Sequence, residues 1–218
     1  MADYDQLLEQ HLQLVIEANK TTNITRITSP ESARVLHIED SRVGLPEMQQ
    51  APEGRYADIG TGAGYPGIPL AIATGRETLL VDSVKKKTDI LNGFIEELGL
   101  GDKVSTYGGR IEDLATEQPK QFSVITARAL SKLSSLMELA SPLLKMNGQL
   151  ICYKARVDEE ELNHAVELEK KLGMKLVSDR DTVLSDGETY RRILVFEKVA
   201  KPKISLPRRV GMAQKKPL

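Results

Sequence analysis

Arg55-Tyr56-Ala57-Asp58-Ile59-Gly60-Thr61-Gly62-Ala63-Gly64-Tyr65-Pro66-Gly67, residues 55–67, is the stretch that decides the fold. It is typical of a short strand, a glycine-rich turn and the start of a helix. Gly60, Gly62 and Gly64 permit positive φ angles and place no Cβ between the backbone and a ligand. The free N–H groups at the start of the helix attract a carboxylate or a phosphate. The stretch therefore predicts a site for a nucleotide-like ligand.

Two classes of ligand fit this turn. Gly62 to Gly67 matches the dinucleotide pattern G-x-G-x-x-G, which is weak evidence when it stands alone. Asp58 argues against it, because a carboxylate just before the first glycine repels a pyrophosphate. S-adenosylmethionine suits the turn better: its amine pairs with Asp58, its carboxylate with the helix start and its ribose hydroxyls with Asp82. A third interpretation is that the glycines only form a tight turn and bind no ligand.

Composition narrows the class of protein. The chain has 218 residues, with 28% charged and 40% hydrophobic, which indicates one globular domain with an appended piece. No apolar run approaches the roughly 20 residues that a membrane helix needs, and the first ten residues carry no secretion signal, so we expect a cytoplasmic protein. The single cysteine, Cys152, and three scattered histidines predict neither a disulfide nor a metal site.

Charge is distributed unevenly along the chain. Lys198 to Leu218 contains seven basic residues and no acidic ones, so the remaining 23 basic and 31 acidic residues leave a net charge of −8 elsewhere. Such a segment is expected to be flexible and could lie along phosphates, or it could do nothing. We predict three parts: a helical extension over 1–54, a methyltransferase domain over 55–198 and a basic, flexible tail over 199–218.

The extension is predicted to be helical. Residues 3–18 carry apolar side chains at steps of three and four, and Ser29-Pro30-Glu31 is typical of a helix start. On that second helix His37, Asp40 and Ser41 share one face. By itself such a cluster is more often a polar helix surface than a site.

Strands and helices alternate after the glycine turn. This alternation predicts a mostly parallel seven-stranded sheet with helices on both faces. The last two strands are joined without a helix and should pair antiparallel, an ending typical of the class I S-adenosylmethionine-dependent methyltransferase fold rather than of a dehydrogenase. The predicted elements are helices at 66–73, 84–98 (capped by Ser83), 131–146 and 158–172, and strands at 77–82, 103–107, 122–127, 149–154, 174–177 and 189–198.

Ligands of open α/β sheets bind at the carboxyl ends of the strands. Four segments of this chain end there, and they are predicted to hold methionine, ribose, adenine and methyl acceptor in turn. In that order they are Gly60 to Tyr65, Asp82-Ser83, Ile111-Glu112 and Ala127-Arg128-Ala129.

The methyl acceptor can be narrowed by elimination. Thr126 to Leu130 lacks the Asn/Asp-Pro-Pro-aromatic element typical of enzymes that methylate exocyclic amines of bases. Methylation of cytosine C5 needs a cysteine nucleophile, and Cys152 lies in an apolar strand. A ring nitrogen with a free lone pair, such as guanine N7, needs neither a nucleophile nor a base. Arg128 is then expected to orient cofactor or substrate.

Several motifs together resemble a known family. They are Asn19-Lys20 with Asn23-Ile24-Thr25, His37 to Ser41, Asp58 to Leu70, Asp82-Ser83 with Lys86-Lys87, Arg110-Ile111-Glu112 and Arg128-Ala129. They resemble the bacterial 16S ribosomal RNA guanine-N7 methyltransferases, also called the glucose-inhibited division protein B family. The resemblance extends from the first helix to about residue 198.

The resemblance implies an S-adenosylmethionine-dependent enzyme that modifies one guanine in the decoding-region loop of 16S ribosomal RNA. Loss of this activity in such bacteria is associated with low-level streptomycin resistance. The implied partner is 16S ribosomal RNA or the small ribosomal subunit, with no DNA and no membrane, and the protein is expected to be a monomer. Asn19 and His37 are the candidates for contact with RNA. The implied cofactor contacts are Asp58, Gly60, Gly62, Gly64, Tyr65, Asp82, Ser83, Ile111, Glu112 and Arg128.

This chain departs from the family in two respects. Family members commonly carry a tryptophan where this chain has Ala18, and the basic tail is not a general family feature.

Tyr65 is the best candidate to stack on a guanine, or it covers only the methionine. Two other functions stay open: a small-molecule methyltransferase of the same fold, and a non-catalytic protein that binds cofactor and RNA.

Overall fold

A computed structural model describes residues 4–27 and 29–218. Its centre is a seven-stranded sheet in the order β3-β2-β1-β4-β5-β7-β6. The first five strands pair in parallel, whereas β7 runs antiparallel to both β5 and β6. The predicted fold and its antiparallel ending are confirmed. The strands are β1 Tyr56–Ile59, β2 Thr78–Asp82, β3 Val104–Gly108, β4 Phe122–Arg128, β5 Leu144–Lys154, β6 Met174–Val183 and β7 Tyr190–Lys198.

Helices cover both faces of the sheet because successive strand residues point to opposite sides. Ala57 and Ile59 of β1 pack into one apolar core with the later helices, while Tyr56 belongs to a core on the other face. The α-helices are α1 Tyr4–Asn19, α2 Pro30–Ala33, α3 Asp40–Arg42, α4 Leu45–Gln50, α5 Gly67–Thr74, α6 Lys85–Glu97, α7 Ile111–Glu117, α8 Leu133–Ala140, α9 Glu159–Glu167, α10 Glu169–Leu172 and α11 Met212–Lys215. Within the described ranges, none of them has the length and hydropathy to cross a bilayer.

The second predicted helix begins where expected but is irregular. The Ser29 hydroxyl accepts a hydrogen bond from the N–H of Ser32 at 3.1 Å, as a helix cap does. A π-helical segment, Arg34–Glu39, then separates α2 from α3. His37, Asp40 and Ser41 are all buried, so the shared face predicted for them points into the protein and is not a polar surface.

Several predicted boundaries are wrong: the strand expected over 174–177 extends to Val183, the one expected from 149 begins at Leu144, and the helix expected over 158–172 is divided into α9 and α10. The helix expected over 131–146 ends at Ala140, because Pro142 interrupts it and the chain enters β5 at Leu144. Ser83 does not cap α6, which follows the extended residue Val84 and has no side-chain cap. Asp82 serves the turn instead, since its Oδ1 accepts the Val84 N–H at 2.9 Å.

The basic segment after β7 packs against the domain and does not extend as the flexible tail we predicted. Arg208 donates to both carboxylate oxygens of Glu138 at 2.7 and 2.6 Å. The Ser135 hydroxyl donates to the carbonyl of Ala213 at 2.6 Å, and Ala213 is buried. Part of the basic charge is therefore used within the protein. The division at residues 54 and 198 stays a prediction.

Candidate functional site

A cavity of about 300 Å³ opens at the carboxyl ends of β1, β2 and β3. Its walls bring together six of the predicted cofactor-binding residues. We call it the glycine-loop cavity, and those six residues are Gly60, Gly62, Asp82, Ser83, Ile111 and Glu112.

The glycine turn shapes this cavity as its sequence predicts. Gly60, Gly62 and Gly64 have φ angles of 73°, 60° and 90°. A Cβ on Gly62 would meet no atom within 4 Å, so it would project into the open cavity. A Cβ on Gly60 would lie 2.8 Å from the side chain of Leu130, which also lines the cavity. Glycine adopts these positive φ angles without strain, and at Gly60 it also avoids a clash with Leu130.

Asp82 ties the second strand to the glycine turn. Its Oδ2 accepts a hydrogen bond from the N–H of Gly62 at 3.0 Å, and its side chain lies in the wall of the cavity. A carboxylate so placed has lone pairs left for a diol, as expected for a ribose contact. Ser83 is exposed beside it.

Asp58 lies beneath the turn, outside the cavity. It is 0% exposed; its Oδ1 accepts from the Thr126 hydroxyl at 2.7 Å and its Oδ2 from the Gly67 N–H at 3.0 Å. Burial raises the pKa of this carboxyl to about 6, against the opposing effect of its hydrogen bonds. The predicted direct contact between Asp58 and a ligand amine is therefore corrected: the carboxylate anchors the start of α5 to β4 from below.

Glu112 is a nearly buried carboxylate in the wall after β3. One of its oxygens, Oε1, accepts the N–H of Gly211 at 2.6 Å. Its other oxygen, Oε2, lies 3.7 Å from Nε of Arg110, which also lines the cavity. Glu112 therefore links the predicted cofactor site to the segment after β7.

Tyr65 stands between two histidines. Its ring stacks on His37 with centroids 4.4 Å apart and planes at 4°, and on His11 at 4.4 Å and 29°. Both faces of the ring are occupied, so Tyr65 is not available to stack on a base, and neither Tyr65 nor Gly64 lines the glycine-loop cavity. A Cβ on Gly64 would lie 2.7 Å from Ile68 and 3.2 Å from Nε2 of His11, so this glycine lets both side chains approach the turn.

The two stacked histidines are neutral at ordinary pH. Burial lowers the pKa of His11 to about 3, and burial together with the nearby charge of Arg128 lowers the pKa of His37 to about 3. Nε2 of His37 lies 3.1 Å from the Thr25 hydroxyl, and Nε2 of His11 lies 3.0 Å from the carbonyl of Ala63. Neither ring supplies a positive charge to the site.

A second cavity, of about 690 Å³, lies on the other side of Ala129. We call it the arginine cavity, because its walls contain five basic side chains and one carboxylate. Ala129 lines both cavities and has a φ of 54°, a left-handed angle that is unusual for a residue with a Cβ. The six charged residues of the wall are Arg26, Arg128, Lys154, Arg156, Arg191 and Asp40.

Asp40 receives two of these arginines. Arg128 donates to its Oδ2 at 2.7 Å, and Arg191 donates from Nε at 2.6 Å and from a terminal nitrogen at 3.1 Å. Asp40 is 1% exposed, so the triad leaves one net positive charge at the cavity wall. Arg128 thus lies on the arginine side and not in the glycine-loop cavity where a cofactor contact was expected.

Asn19 has a local structural role. Its Oδ1 accepts the N–H groups of Ile24 and Thr25, both at 3.0 Å. This carbonyl therefore holds the turn that follows α1 and places Thr25 beside His37.

Several residues of the site carry no sequence signal that we recognised. Arg191 reaches Asp40 from β7 across 151 positions, and His11 reaches Tyr65 from α1. Gln214, which lines the glycine-loop cavity, lies in the segment taken for a tail. Among the residues that the structure describes, no group of histidine, cysteine or carboxylate side chains could hold a metal ion.

Comparison with known proteins gives consistent results. The family model described as rRNA small subunit methyltransferase G matches residues 4–184. The protein named ribosomal RNA small subunit methyltransferase G of Alkaliphilus metalliredigens is 33% identical over 98% of this chain and 90% of its own length. That of Streptococcus sanguinis is 36% identical over 96% and 90%.

The family model ends before β7, but an alignment with one relative extends to the end of the chain. The relative of the same name from Limosilactobacillus reuteri is 32% identical in an alignment that covers 100% of this chain and 92% of its own. The segment after β7, which we expected not to be a general family feature, is therefore aligned in this relative.

Solved structures share the fold at low identity. An O-methyltransferase from Bacillus cereus, solved in complex with SAH, superposes with a TM-score of 0.60 and 19% identity over 86% of this chain and 90% of that one. A geranyl diphosphate methyltransferase bound to sinefungin gives a TM-score of 0.57 and 13% identity, with coverage of 74% and 78%. These matches support the class I methyltransferase fold alone.

Proposed function

The chain belongs to the rRNA small subunit methyltransferase G family, and on that premise we propose that it transfers a methyl group from S-adenosylmethionine to N7 of a guanine in the decoding-region loop of 16S ribosomal RNA. The observation that carries the proposal is the pair of cavities that meet at Ala129. One has a glycine turn and carboxylates, and the other has five basic side chains.

The residues of the glycine-loop cavity fit S-adenosylmethionine. A volume of about 300 Å³ is at the lower end of the range for small-molecule sites. Asp82 presents a carboxylate to the ribose hydroxyls, and Ile111 with Leu130 presents apolar surface to the purine. Gly62 lets the methionine part approach the backbone. Asp58 does not contact the cofactor but holds the glycine turn in place from below.

The arginine cavity suits the RNA. Its excess of basic side chains attracts phosphates, and the paired Arg128 and Arg191 are held by Asp40 at fixed positions. Guanine N7 in a paired A-form helix faces a deep, narrow groove, so the target base has to be unpaired or turned outward. A cavity of about 690 Å³ leaves room for such a base next to Ala129.

The proposed reaction needs no general acid or general base. S-adenosylmethionine supplies a methyl group on a sulfonium; the N7 lone pair forms the new bond to carbon as the carbon–sulfur bond breaks and leaves a thioether. No proton is removed from the base. The protein's task is therefore to align the two groups.

Transfer of labelled methyl groups tests the proposal. Purified protein, labelled S-adenosylmethionine and small ribosomal subunits from cells that lack the protein should give label in 16S ribosomal RNA. The control is Gly62→Val, whose side chain would project into the open space at the glycine turn. Because a β-branched residue at a φ of 60° is strained, its melting temperature must show that the variant is folded. Cofactor binding without incorporation into subunits or free RNA would contradict the proposal and favour a small-molecule methyltransferase or a non-catalytic binder. We also propose that the protein acts as a monomer.

A further inference from the structure

The segment 207–218 is fastened to the domain by specific contacts with α8 and α9. Arg208 forms a two-pronged ion pair with Glu138, whose side chain is 3% exposed. After the turn at Gly211, Ala213 is buried, and its carbonyl accepts a hydrogen bond from the hydroxyl of Ser135 in α8. A further contact joins Nε2 of His164 to the carbonyl of Leu218 at 2.6 Å. A solvated chain end makes no such set of contacts.

Two contacts join the segment to the walls of the cavity itself. The N–H of Gly211 donates to Oε1 of Glu112 at 2.6 Å, which fixes the orientation of a nearly buried carboxylate. Gln214 contributes to the lining, and its Oε1 accepts from Arg110 at 3.4 Å. Because Arg110 and Glu112 follow β3, Gln214 lies at the end of the cavity away from the glycine turn.

We propose that residues 207–218 form the outer wall of the cofactor site and that Gln214 contacts the nucleoside end of the cofactor. The proposal rests on the proposed function. A primary amide has a donor and an acceptor in one plane, which matches the edge of an adenine ring. With the amide oxygen turned to Arg110, the NH₂ group is the donor that a purine ring nitrogen accepts. Gln214 is then a binding residue, and Arg208 and Gly211 are positioning residues.

Binding measurements on the full chain test this assignment. Calorimetry should give a dissociation constant for S-adenosylhomocysteine that is about 3- to 10-fold weaker in Gln214→Ala than in wild type, the effect of one lost hydrogen bond. The dissociation constant for methylthioadenosine, which contains only the nucleoside half of the cofactor, should rise by the same factor in Gln214→Ala. The matched control is Gln121→Ala, an exposed glutamine in the loop before β4, whose affinity should equal that of wild type.

A second readout follows the segment directly. A ligand that contacts Gln214 must favour the docked segment, because coupling between two equilibria is reciprocal. Saturating S-adenosylhomocysteine should therefore slow tryptic cleavage after Arg209 and Lys215 in wild type, and should slow it less in Gln214→Ala.

The outcomes separate the two proposals. If wild type binds neither ligand, the proposed function fails. If wild type binds both and Gln214→Ala binds them equally well, with the same ligand protection from trypsin, the cofactor assignment fails and Gln214 is a surface residue. Loss of affinity for both ligands in Gln214→Ala, with an unchanged melting temperature of the ligand-free protein, supports the assignment.

Discussion

Arg128, at the end of β4, donates to Asp40 of the helical extension at 2.7 Å across 88 positions of the chain. Arg191 of β7 binds the same carboxylate. A single buried acid thus joins the extension, the strand that ends between the two cavities and the antiparallel edge of the sheet. The relationship makes the extension part of the site and not a separate cap.

Asp40→Asn should therefore lower the free energy of unfolding substantially. Removing the charge leaves two mostly buried guanidinium groups without their partner, which typically costs about 3 to 5 kcal/mol. Arg191→Gln should cost less, because Asp40 keeps Arg128. Urea unfolding at pH 7 measures both free energies of unfolding, and equal losses would show that the two arginines do not share one acid.

Two glycines of the same turn should differ in their effect on ligand binding. A Cβ on Gly67 would lie 2.4 Å from Cδ2 of Leu80 and 2.8 Å from Oδ2 of Asp58, so Gly67→Ala should lower stability by about 1 to 3 kcal/mol. Gly62→Ala also costs about 1 to 2 kcal/mol of stability, because its φ is 60°. Its methyl group meets no atom within 4 Å, so it should weaken binding of S-adenosylhomocysteine more than Gly67→Ala does. Calorimetry and thermal unfolding of both variants decide; the reverse order would contradict the geometry of the turn.

Acidification should destabilise the protein through its buried histidines. The pKa of His11 is about 3 in the folded protein against 6.5 for the free side chain, so below pH 6.5 the unfolded chain takes up a proton that the folded one does not. The stabilisation is complete above pH 6.5 and is lost as the pH falls.

His11→Gln, which can still donate to Ala63, should flatten the dependence of stability on pH by up to about 1.4 kcal/mol per pH unit between pH 6 and 4. Asp58, with its pKa raised to about 6, acts in the opposite direction, but equally in both proteins. Identical slopes in the two proteins would mean that His11 takes up its proton as readily in the folded protein as in the unfolded chain.

RNA binding should depend on the unpaired arginines of the arginine cavity. In the described part of the chain, Arg26 and Arg156 are exposed and make no ion pair, so each is free to meet a phosphate. Arg26→Gln and Arg156→Gln should each reduce the slope of log affinity against log salt by about 0.7 to 0.9. Lys103→Gln is the control, because Lys103 precedes β3 at the opposite edge of the sheet. An equal effect of all three substitutions would place the RNA elsewhere.

Much of the fold could be predicted from the sequence because its signals are local. Alternating strands and helices, the glycine turn and the helix-free connection before β7 predict the sheet and the edge where the ligand binds. Six site residues meet as expected because they lie at the carboxyl ends of strands or within four residues after them. Local signals failed where competing effects decide: Pro142 ends α8 early, and Asp82 replaces Ser83 at the start of α6.

The remaining parts of the site depend on contacts that no local pattern encodes. Burial removes Asp58 from the ligand, and the stacked His11 and His37 remove Tyr65. The basic segment folds back because Glu138 and Glu112, far away in the chain, accept Arg208 and Gly211. Composition alone cannot distinguish such a segment from a solvated end.

The most direct test of the central claim is to map the methylated base. Subunits from cells lacking the protein, treated with wild-type protein and S-adenosylmethionine, are subjected to strand cleavage specific for N7-methylguanine. The account predicts one new cleavage, at a guanine in the decoding-region loop of 16S ribosomal RNA, and none with Gly62→Val. Methyl incorporation that leaves this loop uncleaved, or label on another atom or another RNA, would contradict it.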